Sequence, residues 1–182
     1  METTTVANKT KWAADQTHSE ILFKVRHMMI ANVKGEFRKF KAEVTSTGDD
    51  FNDASVNVSI DTASVLTNDD GRDTHLKSAD FFDVATYPEI TFKGTSLSKR
   101  KDNHYQLDGT LTIKGTSKPV SLDVAFGGVN KDPWGNQRAG FSVEGTINRK
   151  DFGLNWNAAL ETGGVLVSDE VKIIAEVQFV KG

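Results

Sequence analysis

Apolar and polar residues alternate with a period of two along most of this chain, and no other feature restricts its fold as strongly. Ile21, Phe23 and Val25 hold the odd face of the first run, and His27 and Met29 continue it. The next run starts on odd positions with Gly35 and Phe37. It then changes parity to Phe40, Ala42 and Val44, which predicts a bulge near Arg38-Lys39. Val56-Val58-Ile60, Ile90-Phe92-Gly94, Tyr105-Leu107-Gly109-Leu111-Ile113 and Val120-Leu122-Val124-Phe126 follow. Phe141-Val143-Gly145-Ile147 and Val171-Ile173-Ala175-Val177-Phe179 complete the series. The pattern predicts an all-β protein of about eight antiparallel strands, each apolar on one face only. The longest interruption, Thr62 to Pro88, lacks alternation. It reads as a short helical insert between the third and fourth strands, with Leu76, Ala79 and Phe82 facing inward.

Length allows one domain: a flexible tail over residues 1–10 and a single barrel over 11–182. The 22 Lys+Arg against 25 Asp+Glu leave a net charge of −3 and no concentrated basic face, which argues against nucleic-acid binding. No apolar run is long enough for a membrane helix. The first residues lack the apolar core of a signal peptide, so the chain as written reads as cytoplasmic, or as periplasmic if a leader has been removed. Without cysteine there is no disulfide, thiolate metal site or cysteine nucleophile.

Hydrophobic residues make up 37 % of the chain, a low share for a solid core, although 11 are phenylalanines. Gly35, Gly94, Gly109 and Gly145 fall on the inward parity. They read either as barrel corners or as room left inside a closed sheet. Eight strands enclose space that side chains fill or that one small ligand occupies.

Motifs for nucleotide binding and for zinc hydrolysis are absent, and the four histidines show no metal-ligand spacing. His27 shares the inward parity near a strand end. It reads as a core histidine or as a polar contact for a ligand head group. Arg149, Asp151, Phe152 and Gly153 read as a turn held by an Arg–Asp pair. Asp15, His18 and Ser19 read as a cap on the sheet.

The segment Asp15 to His27 (DQTHSEILFKVRH) resembles the opening signature of the YceI-like, polyisoprenoid-binding family. The likeness continues through Gly35-Glu36-Phe37, Arg72 to Asp83, Tyr87 to Phe92, Leu107 to Gly115 with Lys118-Pro119-Val120, and Gly140-Phe141 to Gly153. It implies a lipocalin-like barrel whose apolar tunnel holds a long isoprenoid chain such as a polyprenyl or quinone tail. A homodimer, no established catalysis and no cofactor beyond the lipid are also implied. Parity and resemblance together give a lipid-binding set of Phe23, Val25, His27, Phe37, Leu76, Phe82, Phe92, Leu107, Gly109, Leu111, Phe126, Phe141, Gly145 and Ile147. The expected function is non-catalytic binding, transport or storage of that lipid. One alternative is an enzyme acting on an isoprenoid, with His27 or the Asp15/His18 pair as acid–base groups. Another is a solid-core barrel serving as an interaction module.

Overall fold

The computed structural model describes residues 9–47, 50–158, 160 and 166–182. In chain order these form β1 (Lys9–Ala14), β2 (Glu20–His27), β3 (Ala31–Phe37), β4 (Phe40–Thr47), β5 (Asp50–Asp61), β6 (Val65–Leu66) and the helix α1 (Asp70–Lys77). Then come β7 (Glu89–Lys99), β8 (His104–Ile113), β9 (Thr116–Lys131), β10 (Gln137–Asn148) and β11 (Val167–Lys181). All strand pairings among the described residues are antiparallel.

These segments occupy eight positions of a closed barrel, because three positions are shared. β1 and β2 form one bent strand: β11 pairs with β1 at Phe179 to Lys181 and with β2 at Val167 to Glu176. A 3-10 turn at Gln16–His18 marks the bend. β3 and β4 form the second, β3 pairing with β2 and β6, and β4 with β1 and β5. The break falls at Arg38-Lys39, where the apolar parity changes. Phe37 and Phe40, three residues apart, therefore both face the core. β5 and β6 share the third position, and α1 follows before β7, between the third and fourth barrel strands.

One end of the barrel is packed solid. Trp12 is fully buried there and its Nε1 donates to Ser46 Oγ at 3.1 Å. Phe51 touches Trp12, Phe126 and Phe141 at ring separations of 5.3, 5.3 and 5.1 Å. Phe141 also contacts Phe179 at 5.7 Å. The tail expected over residues 1–10 ends sooner than its sequence suggested. Lys9 and Thr10 pair with Thr47 and Ser46 of β4, because Trp12 anchors this strand in the core. Residues 1–8 lie outside the described residues.

Outside the same end, Arg138 bridges Asp15 at 2.7 Å and Asp132 at 2.8 Å, tying the β1–β2 bend to the β9–β10 turn. Asp15 also accepts from the Thr17 amide and lies 3.0 Å from His18 Nδ1. The Arg138 guanidinium first, then Thr17 and His18, hold its carboxyl far below the ordinary carboxylate range.

The inward glycines are covered rather than empty. A Cβ on Gly109 would meet the Lys93 carbonyl oxygen at 2.4 Å and the Phe92 ring at 2.6 Å. A Cβ on Gly145 would meet Leu122 Cδ2 at 2.3 Å, and one on Gly35 the Phe23 ring at 2.2 Å. Gly94 and Gly109 oppose each other beside a register shift between Gly94 and Ser96. The strand bends there and neighbouring side chains fill the space.

Two outcomes follow for stability. Gly109→Ala drives its methyl into backbone and is expected to cost about 1–3 kcal/mol in urea unfolding; an unchanged midpoint would contradict this close approach. Asp15, with its folded value depressed, stabilises fully above the ordinary carboxylate value of 3.8 and loses that contribution as pH falls below it. Asp15→Asn is therefore less stable at neutral pH and loses less stability than the parent on acidification to about pH 3, as read by urea midpoints across pH.

Candidate functional site

Inside the barrel, above the aromatic plug, lies a cavity of about 540 Å³, within the roughly 300–1,000 Å³ typical of small-molecule sites. Period-two alternation builds its wall. Along β11, Val171, Ile173, Ala175, Val177 and Phe179 all face it, and β10 adds Phe141, Val143 and Ile147. β8 contributes Leu107, Leu111 and Ile113, and β7 contributes Ile90, Phe92 and Leu97. From β2 and β3 come Phe23, Val25, His27, Val33 and Phe37, with the Phe23 and Phe37 rings 5.6 Å apart. Leu76 of α1 and Phe82 just after it close over this side, Phe82 meeting Phe37 edge-on at 5.6 Å.

Three residues of the sequence-derived set do not face the cavity. Gly109 and Gly145 are roofed by Phe92 and Leu122, so neither adds free volume. Phe126 lies in the aromatic plug, stacked on Phe141 at 5.1 Å. It keeps the inward parity of Leu122 and Val124, pairing in regular register with Phe141, but it lies at the plugged end, where the rings of Phe51 and Tyr105 surround it. Ala79, expected inward, is exposed.

The polar residues of the wall gather at the end opposite the plug: His27, Thr67, Arg72, His75 and Arg149. Here α1 and residues 149–158 cover the barrel. Asp69 caps α1 by accepting from the Arg72 amide, and buried Asp73 accepts from the Thr67 amide at 2.8 Å and from its hydroxyl at 2.5 Å. Arg72 donates from Nε and Nη2 to the Thr67 hydroxyl and carbonyl at 2.8 and 2.7 Å. His75 sits edge-on to Trp156 at 4.6 Å and to Phe81 at 5.1 Å, and its Nε2 lies 2.9 Å from Asp80. This ring cluster latches the helix to the segment beyond β10. His27 makes no side-chain hydrogen bond among the described residues.

Arg149 organises that segment. It is 2 % exposed and donates to the carbonyls of Leu154, Trp156, Val167 and Ser168. Burial pushes its pKa below the ordinary arginine value, against the pull of Asp169. The Arg–Asp pair expected with Asp151 does not form, since Asp151 is exposed and the guanidinium is turned to main-chain acceptors. The Asp15/His18 pair is likewise outside the cavity. Sequence reading missed Trp156, His75, Phe81 and Arg149. A helical phase check on residues 70–82 would have flagged His75 alongside Leu76, whereas Arg149 carries no local signal.

Residues 12–179 match the model of the YceI-like domain. A UPF0312 protein of Staphylococcus aureus is 40 % identical over 171 residues, covering 93 % of this chain and 97 % of its own. Among solved structures, BcnA of Burkholderia cenocepacia superposes with a TM-score of 0.77 at 27 % identity, over 91 % of this chain and 98 % of that one. A polyisoprenoid binding domain from Saccharophagus degradans, 18 % identical, shares the fold with a TM-score of 0.67 over 94 % and 98 % of the two chains.

Arg149→Leu leaves several carbonyls near the mouth without a donor and is expected to cost about 3 kcal/mol, with Trp156 fluorescence shifting red as the latch loosens. A parent-like midpoint and spectrum would show that the segment is held by other contacts.

Proposed function

The chain belongs to the YceI-like domain family, and from that premise we propose that it binds and carries a long-chain isoprenoid lipid, a polyprenyl or quinone tail, without altering it. One observation carries the reading. The cavity wall is apolar along the barrel, and its polar residues stand together at the end opposite the plug of Trp12, Phe51 and Phe141. Such a shape suits an amphiphile that enters tail first and leaves its head at the mouth. The name of the Saccharophagus degradans neighbour points to the same ligand class.

Affinity would come from the tail. Each buried methylene contributes about 0.8 kcal/mol, so a linear apolar chain binds without many hydrogen bonds even after ordering costs. Head-group contacts fall to His27, whose side chain has no hydrogen-bond partner among the described residues, and to Nη1 of Arg72, the guanidinium nitrogen free of the Thr67 contacts. A catalytic role for His27 is the weaker reading. No carboxylate partners it to set its tautomer among the described residues, and Asp15/His18 has no access to the cavity.

Native mass spectrometry of freshly purified protein, followed by organic extraction, tests the proposal. A stoichiometric adduct in the mass range of a multi-unit isoprenoid is expected. Ala175 faces the cavity from the middle of β11, so Ala175→Phe puts a ring into open volume and should abolish the adduct while keeping the melting temperature within a few degrees. A clean mass after incubation with polyprenols and quinones would overturn the carrier reading.

A further inference from the structure

The hairpin joining β2 to β3 ends in Met28, Met29 and Ile30, exposed by 45, 51 and 78 %. Three consecutive exposed apolar side chains are not explained by packing. Nor does the turn explain them. The Ile30 amide donates to the His27 carbonyl at 3.2 Å, and the residues between, Met28 and Met29, have φ of 53° and 64°. Asn-Gly suits such a turn and methionine does not. Arg26 steadies the strained turn, donating from Nε and Nη2 to the Met29 carbonyl at 3.2 Å. This tip stands at the mouth: His27 and Val33, on the two hairpin strands, both line the cavity, and the Met28 amide donates to Leu166, another wall residue.

Charge behind the tip has an equally unusual arrangement. Lys24 lies directly between Lys172 of β11 and Lys34 of β3, three lysines in register across the outer face of the sheet. Like charges in directly opposed positions oppose strand pairing. With Arg26 they make four cations, and none of them is in an ion pair among the described residues. From Lys24 to Lys34 the hairpin has no acidic residue, although the chain as a whole is acidic. Of the nearby acids on β11, Asp169 is engaged by Lys150 at 3.3 Å, and Glu170 follows it. Lys24 sits three residues behind the strand end, roughly 10 Å at about 3.3 Å per residue. That is about one Debye length at 0.1 M salt.

We propose that the β2–β3 hairpin docks the barrel on an anionic lipid surface, Met28, Met29 and Ile30 entering the interface while Lys24, Lys34, Lys172 and Arg26 face the head groups. A second copy fits the same face poorly. A two-fold contact would bring each lysine row against its twin, and three tip side chains offer far less than the roughly 800 Å² per partner of a stable interface. Docking here turns the cavity mouth to the bilayer, so that an apolar tail passes between them without crossing water. That consequence rests on the carrier reading; the docking itself does not.

The test is flotation of delipidated protein with vesicles of phosphatidylcholine and phosphatidylglycerol in equal parts, alongside phosphatidylcholine alone. The parent protein floats with the anionic vesicles and is released by salt. Met28→Asn/Met29→Gly/Ile30→Ser, whose Asn-Gly pair suits the turn and preserves the fold, loses about tenfold or more in partitioning. Lys24→Gln/Lys34→Gln/Lys172→Gln loses the preference for anionic vesicles. Trp134→Ser, removing the exposed tryptophan on the β9–β10 turn at the plugged end, floats like the parent. Parent protein that stays in the aqueous fraction, a tip variant that floats as well as the parent, or a loss confined to Trp134→Ser would overturn the proposal. So would a tip variant that changes only the oligomeric state. Farnesol binding without vesicles, read by tryptophan fluorescence, is unchanged in the tip variant. Its absence in the parent would overturn the carrier reading and leave docking to be judged by flotation alone.

Discussion

Closure of the sheet is the constraint on which everything else in this molecule depends. β11 makes it by pairing with both halves of the bent first strand, with β2 from Val167 to Glu176 and with β1 at Trp12, Ala13 and Ala14, the seam where Trp12 sits fully buried. Once the sheet closes, every inward residue of every strand shares one interior, and alternation alone decides what that interior is made of. The Trp12, Phe51, Phe126 and Phe141 rings take up the volume at the seam end. Space left over can therefore open only toward the other end, where a short helix and a loop form the cover.

Much of this was legible because a β-strand declares its faces. The odd and even residues of the eight runs separate as the pleat demands, and the parity change between Phe37 and Phe40 by itself marks the break at Arg38-Lys39. The wall residues Phe23, Val25, Phe37, Phe92, Leu107, Leu111, Phe141 and Ile147 came from the same pattern. Direction, however, is not occupancy. Gly109 and Gly145 point inward as parity requires, yet Phe92 and Leu122 lean across from adjoining strands and use the space. Which neighbour leans over a glycine depends on register, and register shifts at Gly94/Ser96 and Gly140/Phe141 are not encoded in any local alternation.

The mouth was the least legible part, for a different reason. Strand patterning says nothing about residues that meet through loops, and the contacts here join positions far apart in sequence. His75 on α1 meets Trp156, and Arg149 gathers the carbonyls of Leu154, Trp156, Val167 and Ser168. A buried guanidinium answered by main-chain oxygens leaves no partner residue to find, so a search for Arg–Asp spacing looks in the wrong place. The family resemblance covered these blocks without assigning their contacts.

The two ends also differ in how they are held, and this bears on function. The seam end combines ring packing with the Asp15–Arg138–Asp132 ion pairs. The cover is fastened otherwise: α1 buries only Asp73 fully, and its hold on the barrel comes from the Asp73–Thr67 contacts, the His75–Trp156–Phe81 rings and Leu76. The segment beyond β10 buries Phe152 and Leu154, but the helix itself commits few apolar atoms, and elements with little apolar burial open at the lowest free energy. A chain with only 37 % hydrophobic residues has thus placed its rigidity at the closed end and its weakest burial where a ligand must pass.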